Sequence, residues 1–371
     1  MARPGRTPST SLRRTAPAIL VAAALLLVLA AAACGGSGGG AQTDAHQTAK
    51  ATTNASASSS AASPSGPLKV KTVGEDAVTL HKRAPVSFTF HIVGGAPDQW
   101  VWRVRNYYGK QMSAGKGEPG ATTASVRWDG TTPDGDPAEP GEYIVEVGPG
   151  FSPHMTTVGW IRLQVPVKAK VYTSLPAAGK KVALTFDDGG GATAWYWILH
   201  ALRAGHAKGT FFPIGQYVGD YAHKEAGLTV DDDMAIGSHS WSHPEMTSLS
   251  DEQIRAQLQD TDDVWWNDFK ASTVPYFRPP YGSYNDRVLK IAGEMGYSRI
   301  IMWDVDSNDW TNPGTDAIVH NVLSAVGDGS IIVLHTRGKA PKALPLIIQG
   351  LHKMGYEMVT LPELFKAAGV K

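Results

Sequence analysis

A single cysteine, Cys34, stands in a chain of 371 residues, so no intrachain disulfide can form and cysteine usage says nothing about redox compartment. An excess of either charge is equally missing: 34 Lys and Arg balance 34 Asp and Glu. Without a global field, recruitment of nucleic acid or another polyanion has no compositional support. Long apolar runs are also scarce. The one that stands out, about Ala16 to Ala33, is at the short end of the roughly 20 residues a membrane-spanning helix needs. What the chain does have is a 42% hydrophobic share, enough to bury a real core. At about 100–200 residues per domain, its length holds two domains and extra segments.

Arg3, Arg6, Arg13 and Arg14 precede the apolar run, which is the layout of an export signal; a permanent transmembrane helix is the alternative. Ala31-Ala32-Ala33 puts small residues just before Cys34, and Gly35-Gly36-Ser37-Gly38 follows. The arrangement resembles a bacterial lipoprotein signal, in which the cysteine becomes the lipidated first residue of the mature protein. That resemblance implies a signal peptide over 1–34 and an exported protein held by lipid on Cys34, at the outer face of the cytoplasmic membrane or the cell surface. Residues 35–67 are Gly, Ala, Ser and Thr with hardly a large apolar side chain. Such a segment cannot offset its ordering entropy and reads as a flexible tether.

Over 68–168 the pattern changes to short runs that alternate apolar and polar, at 86–92, 99–104, 124–128, 142–147 and 160–165, separated by Gly, Pro and Asp turns. These read as strands of a small antiparallel all-β sandwich. The stretch from Trp128-Asp129-Gly130 to Pro140-Gly141-Glu142-Tyr143 resembles the Ig-like module of flagellar hook-capping proteins, which implies a fold and not an activity. Trp100, Trp102 and Trp128 have two readings, a sugar-stacking platform or, at in-out strand spacing, core.

From 169 to 371 strand-like runs alternate with helical ones. The spacing predicts strands at 181–186, 209–214, 234–238, 275–279, 298–303, 330–335 and 357–359. Between them it predicts helices at 194–204, 251–269 with Ser250 and Gln253 as a capping pair, 286–295, 315–325 and 342–354. Seven such units in about 200 residues suggest a short (β/α) barrel, whose chemistry gathers where strands end. The informative residues fall there. Leu184-Thr185-Phe186-Asp187-Asp188-Gly189-Gly190-Gly191 empties an apolar strand into two carboxylates and three glycines. Neighbouring strand residues point to opposite faces, so one Asp can bind a cation and the other stay free as a base. A solvated Asp-Gly turn is the bland alternative. His239-Ser240-Trp241-Ser242-His243-Pro244 places two imidazoles four residues apart, where one face of a helical turn would let them share a divalent cation with a carboxylate. Phe277-Arg278-Pro279-Pro280-Tyr281-Gly282 is a proline-stiffened loop, and Trp303-Asp304-Val305-Asp306-Ser307-Asn308-Asp309-Trp310 precedes a last apolar strand ending in His335.

With the five pieces in this order, the segment from about Tyr172 to Lys371 resembles the polysaccharide deacetylases of carbohydrate esterase family 4. The resemblance implies a distorted (β/α)7 barrel and metal-dependent removal of N- or O-acetyl groups from a glycan. It makes Asp187 the general base, Asp188, His239 and His243 the metal ligands, Arg278 the residue that orients Asp187, and His335 the general acid. Asp309 would tune His335, with Asp306 an alternative in the same stretch. The backbone near Tyr281 would help hold the oxyanion, and Trp310 and Val333 would line the pocket for the acetyl methyl. The implied cofactor is a divalent ion, most readily Zn2+, with Co2+ or another ion fitting the same ligands. Gly190, Thr336 and Ala235 depart from residues common in the family. The expected enzyme removes N-acetyl groups from a GlcNAc polymer, peptidoglycan or chitin-like. An acetylxylan-type O-deacetylase and a non-catalytic glycan-binding lipoprotein are the alternatives.

Overall fold

The computed structural model describes residues 67–106, 109–150 and 154–370. The expected export signal, Cys34 and nearly all of the tether lie outside the described residues.

The first eight strands are β1 (Val70–Val73), β2 (Ala77–Leu80), β3 (Val86–Ile92), β4 (Val101–Asn106), β5 (Gln111–Lys116), β6 (Thr123–Trp128), β7 (Gly141–Gly148) and β8 (Thr156–Leu163). They form two sheets, β1-β3-β6 and β2-β8-β7-β4-β5. The sequence leads to antiparallel pairing throughout, but β2 runs parallel to β8. Strands β1 and β2 are only four residues long and β5 reads Gln-Met-Ser-Ala-Gly-Lys, so none carries a strong alternating signal. One core holds both sheets, built on Phe88, Phe90, Val104, Val126, Val145, Ile161 and Leu163. Trp100 and Trp128 are buried in it, their indole N–H groups donating to the carbonyls of Glu118 and Thr131 at 2.9 Å each. Trp102 is half-buried against the same core. The tryptophans are core side chains, and the stacking platform is excluded for the two buried ones.

The second half begins with β9 (Lys170–Tyr172), then β10 (Lys181–Asp188), α1 (Ala192–Ala204), β11 (Gly209–Pro213), α2 (Gly215–Asp220) and α3 (His223–Asp231). It continues through β12 (Ala235–Ile236), α4 (Asp251–Phe269), β13 (Tyr276–Phe277), α5 (Asp286–Glu294), β14 (Arg299–Ile301) and β15 (Val305–Asp306). Last come α6 (Thr315–Ala325), β16 (Ile331–His335), α7 (Ala340–Lys353), β17 (Glu357–Met358) and α8 (Leu361–Ala367). The capping pair of α4 is present in both directions: Gln253 N–H donates to Ser250 Oγ, and Ser250 N–H to Gln253 Oε1. Helices α2 and α3 escape a propensity reading because Gly215 and Gly219 weaken the first of them. Gly215 has a packing reason to be there, since a Cβ would sit 2.8 Å from both Thr261 Oγ1 and Trp241 Cε3.

The strands are parallel and close into an irregular ring. β10 lies between β11 and β16, and β11 pairs with β12. β12 reaches β13 only through Ser238, whose N–H donates to Tyr276 O and whose carbonyl accepts from Arg278 N–H, both at 2.9 Å. The stretch 299–306 closes the ring by changing partner, its first half pairing with β13 and β9 and its second half with β16. The seventh predicted strand, β17, pairs only with Lys181 and Val182, because β10 from Leu184 onward is already bonded to β11. β9, not foreseen from the sequence, fills the wedge between β14 and the start of β16.

Sandwich and barrel meet on a polar seam. Asp262 of α4 accepts from Arg162 Nη1 (3.2 Å) and Gln164 Nε2 (2.7 Å) at the end of the sandwich, and from Ser272 Oγ, Thr273 N–H and Thr273 Oγ1 of the barrel. Beside it the Glu142 carboxylate accepts from Ser272 N–H; burial pushes its pKa well up, against that hydrogen bond.

Candidate active site

Parallel pairing in register sets Asp187 of β10 directly opposite His335 of β16. Neighbouring strands are about 4.8 Å apart, so the two side chains share one face of the sheet without any help from the loops. Val333 sits two residues earlier on that face, buried below His335. Asp188, the last residue of β10, does not take the alternating orientation expected for its neighbour. Its φ of +78°, followed by +75° at Gly189, turns the chain so that both carboxylates approach His239, at 3.9 Å from Asp187 and 3.8 Å from Asp188. Thr336 secures this turn. Its hydroxyl accepts from Gly189 N–H at 2.6 Å and donates to Asp187 O, which also accepts from Thr336 N–H.

Arg278, at the end of β13, is fully buried. Its guanidinium donates to Ile301 O, Met302 O, Thr185 Oγ1 and, at 2.7 Å, to Asp187 Oδ1, and it lies 4.5 Å over the Phe212 ring. Five fixed donors explain why the position takes arginine and not lysine. Burial works to raise the Asp187 pKa, but the Arg278 charge, then the His239 and His335 imidazoles, outweigh it and hold the carboxyl below its usual range.

The two metal-type histidines meet in a different way from the one the spacing suggests. Residues 237–245 contain no helical turn; Ser240 and His243 both have left-handed φ, +66° and +61°, and the loop folds on itself. Ser240 Oγ accepts from His243 N–H, and Gln257 of α4 accepts from the N–H groups of Trp241 and Ser242 at 2.9 Å each. The rings end 4.9 Å apart. His239 Nδ1 lies 2.8 Å from Arg278 O. A carbonyl only accepts, so Nδ1 carries a proton and donates it there, which turns Nε2 toward Asp188. His243 Nε2 lies 3.7 Å from Asp188 Oδ1, and burial followed by the neighbouring His239 pushes its pKa down to about 4, leaving the ring neutral. Ligands at about 2.1 Å around a tetrahedral ion are roughly 3.4 Å apart. The Asp188, His239 and His243 donor atoms, all within 4.8 Å of one another, fit a divalent cation of that class.

Opposite them, His335 Nδ1 donates to Asp309 Oδ1 at 2.7 Å and His335 N–H to Asp309 Oδ2 at 2.8 Å. Burial pulls the His335 pKa down, but the Asp309 hydrogen bond and the nearby carboxylates prevail and raise it. Asp306 is occupied elsewhere, accepting from Asn308 N–H. Trp310 follows Asp309 in a single 3-10 turn between two left-handed asparagines and is 56% exposed. Tyr281, with φ +60°, packs its ring edge-on against His243 at 4.6 Å and leaves 71% of itself exposed.

All ten residues singled out in the sequence thus lie at the carboxyl ends of the strands or in the loops that leave them. Gln257 and Arg337 were not singled out, and Thr336 was named only as a departure from the residue common in the family. Arg337 Nη1 reaches within 3.4 Å of Asp188 Oδ2. Their only sequence signal is position: Thr336 and Arg337 directly follow His335, and Gln257 gives none.

The sequence profile of the polysaccharide deacetylase family matches residues 175–300. A peptidoglycan-N-acetylglucosamine deacetylase of Bacillus cereus is 33% identical over 213 residues, which is 56% of this chain and 98% of that protein. The peptidoglycan-N-acetylglucosamine deacetylase of Listeria monocytogenes is 33% identical over 207 residues, but the match spans 41% of its length. Among solved structures, a family 4 carbohydrate esterase pseudoenzyme from Bacillus anthracis superposes with a TM-score of 0.51 at 28% identity, over 62% of this chain and 85% of that one.

Proposed function

The chain belongs to the polysaccharide deacetylase family, and from that premise we propose that it hydrolyses N-acetyl groups on the GlcNAc residues of peptidoglycan. The observation that carries the reading is the convergence, at one end of the barrel, of three ligand side chains with two separately tuned proton carriers: Asp187 against Arg278, and His335 against Asp309. A scaffold that only binds glycan has no use for this combination, and the pseudoenzyme among the structural relatives makes the distinction worth drawing.

A divalent cation held by Asp188, His239 and His243, Zn2+ by ligand type, would polarise the acetyl carbonyl and acidify water. Asp187, kept ionised by Arg278, takes the proton as water attacks that carbonyl. The backbone at Tyr281 offers a donor to the developing oxyanion. His335, whose protonated form the Asp309 hydrogen bond favours, gives its proton to the departing sugar amine, so that acetate and a free amine leave. Trp310 and Val333 wall the space for the methyl group. The lipoprotein-type signal supports a setting outside the cytoplasmic membrane, with the residues 35–67 tether and an Ig-like sandwich holding the barrel out toward the wall.

The test is acetate release from peptidoglycan, chitooligosaccharides and acetylated xylan by the full chain, with and without chelator. The reading expects chelator-sensitive release from peptidoglycan, reduced about 10²- to 10⁴-fold by Asp187→Asn, the range that loss of a general base costs. No release from any substrate by metal-loaded protein, or release indifferent to Asp187→Asn, refutes it.

A further inference from the structure

A groove of about 1240 Å³ runs down the outside of the barrel between α1 and α7, and it opens beside the metal ligands. Gly191 and Arg337 form its mouth, and Arg337 is the residue within 3.4 Å of Asp188. The walls are helical stripes at three- to four-residue spacing: Thr193, Trp197, His200 and Ala204 on α1 face Pro341, Pro345, Ile348 and His352 on α7. The floor is apolar, with Trp197 half exposed at 51%. The charge on the rim has one sign. Arg337, Lys342 and Lys353 line it with three histidines, and no Asp or Glu is among the described lining residues.

We propose that this groove receives the carboxylate-bearing peptide stem of a peptidoglycan strand whose acetylated sugar lies at the metal site. The inference rests on the deacetylase reading above and deepens it. Peptidoglycan differs from chitin in the peptides that branch from alternate sugars, and those peptides combine aliphatic side chains with free carboxylates. Both properties match the groove, apolar floor and cationic rim. Length matches as well. The 13 residues of α1 extend for about 20 Å, and an extended five-residue stem needs about 17 Å. A stem entering at Arg337 reaches Lys342 first and Lys353 last. The groove therefore gives the barrel a means of telling peptidoglycan from an uncharged GlcNAc polymer, which the acetyl pocket alone cannot do.

The experiment is a calorimetric titration of the full chain with a peptide-bearing muropeptide oligomer and with the same glycan after enzymatic removal of its stems. Wild-type protein is expected to bind the peptide-bearing form at least fivefold more tightly. Lys342→Glu combined with Lys353→Glu, both exposed substitutions, is expected to abolish the difference while leaving the stripped glycan's Kd unchanged, and Trp197→Ala to reduce it. Equal binding of both forms by the wild type, or a preference that survives the double substitution, overturns the proposal. Acetate release from the peptide-bearing oligomer and from the stripped glycan is followed in parallel. Its absence from both counts against the deacetylase reading, whereas the binding comparison decides the groove.

Discussion

Replacing Asp309 by Asn separates the contribution of its charge from that of its shape. Asp309 takes two donors from His335, the ring Nδ1–H at 2.7 Å and the backbone N–H at 2.8 Å. A carboxylate can accept both. An asparagine has one oxygen and one NH2, so at most one of those bonds survives, and that one is no longer charge-assisted. A hydrogen bond to a charged group contributes about 1.5–3 kcal/mol and a neutral one about 0.5–1.5. The imidazolium therefore loses roughly 1–2 kcal/mol of support, which corresponds to about 5- to 30-fold in the step that protonates the leaving amine. The pH profile gives a second readout. The wild-type His335 pKa is raised, so its protonated form, and with it activity, persists above the ordinary histidine range and falls as pH rises through the raised value. Removing the charge lowers that pKa, and the alkaline limb of kcat must move to lower pH. Initial rates of acetate release across pH, for wild type and Asp309→Asn, measure both. Asp306→Asn serves as the control, because Asp306 only caps Asn308 and its loss leaves the limb in place. An Asp309→Asn enzyme within twofold of wild type and with an unmoved limb would refute the assignment.

Three further outcomes follow from other contacts. His243→Ala leaves two ligands where three converge, and competition with a chromophoric chelator should show metal affinity reduced at least 100-fold while the circular dichroism spectrum is retained. Thr336→Val keeps the side-chain shape but takes away the nearer acceptor of the Gly189 N–H, at 2.6 Å, and leaves it only Asp187 O at 3.2 Å. It should cost about 0.5–1.5 kcal/mol in denaturant unfolding and lower kcat more than it raises KM, because the Asp187–Asp188 turn loosens. Asp262→Ala removes the acceptor of five hydrogen bonds, leaving Gln164, Ser272 and Thr273 short of a partner and Arg162 with Asp263, at 2.7 Å, as its remaining carboxylate. A loss of about 3–5 kcal/mol is expected, or roughly 10 °C in Tm by calorimetry, with metal affinity unchanged.

What was legible in the sequence and what was not divide along a physical line. Helix α4 has the bounds its periodicity and capping box predict, and α6 those its periodicity alone predicts, because these signals are local. Seven strands of the second half were found because each is a compact apolar run, although several shrink to two residues once pairing is required; the short β9 and β15 were not. Asp187, Arg278, Asp309 and His335, which the structure brings together, could be named from the sequence because each belongs to a recognisable stretch in a recognisable order. Long-range choices were not legible. The parallel pairing of β2 with β8, for one, depends on a partner about 80 residues away.

The manner in which His239 and His243 meet is the clearest case of something the sequence could not express. Of the nine non-glycine residues with positive φ among the described residues, six are in the site loops: Asp188, Ser240, His243, Tyr281, Asn308 and Asn312. The other three, His206, Asp233 and Lys270, fall at helix ends, where such a residue is ordinary. Aspartate and asparagine tolerate the left-handed region, but serine, histidine and tyrosine there each cost on the order of 1 kcal/mol. Local bonds offset that cost: Ser240 Oγ with His243 N–H, Gln257 with two successive N–H groups, Thr336 with Gly189. Strain held in place by hydrogen bonds fixes the donor atoms before any ion or substrate arrives. A helical turn would have set the two imidazoles on one face with no strain. It would also have carried the intervening backbone N–H groups into its own hydrogen bonds, leaving Gln257 without its partners and the loop without its tie to α4. The strained loop therefore does what a regular element cannot: it couples the metal ligands to the scaffold by side chains whose replacement alters the site without unfolding the barrel.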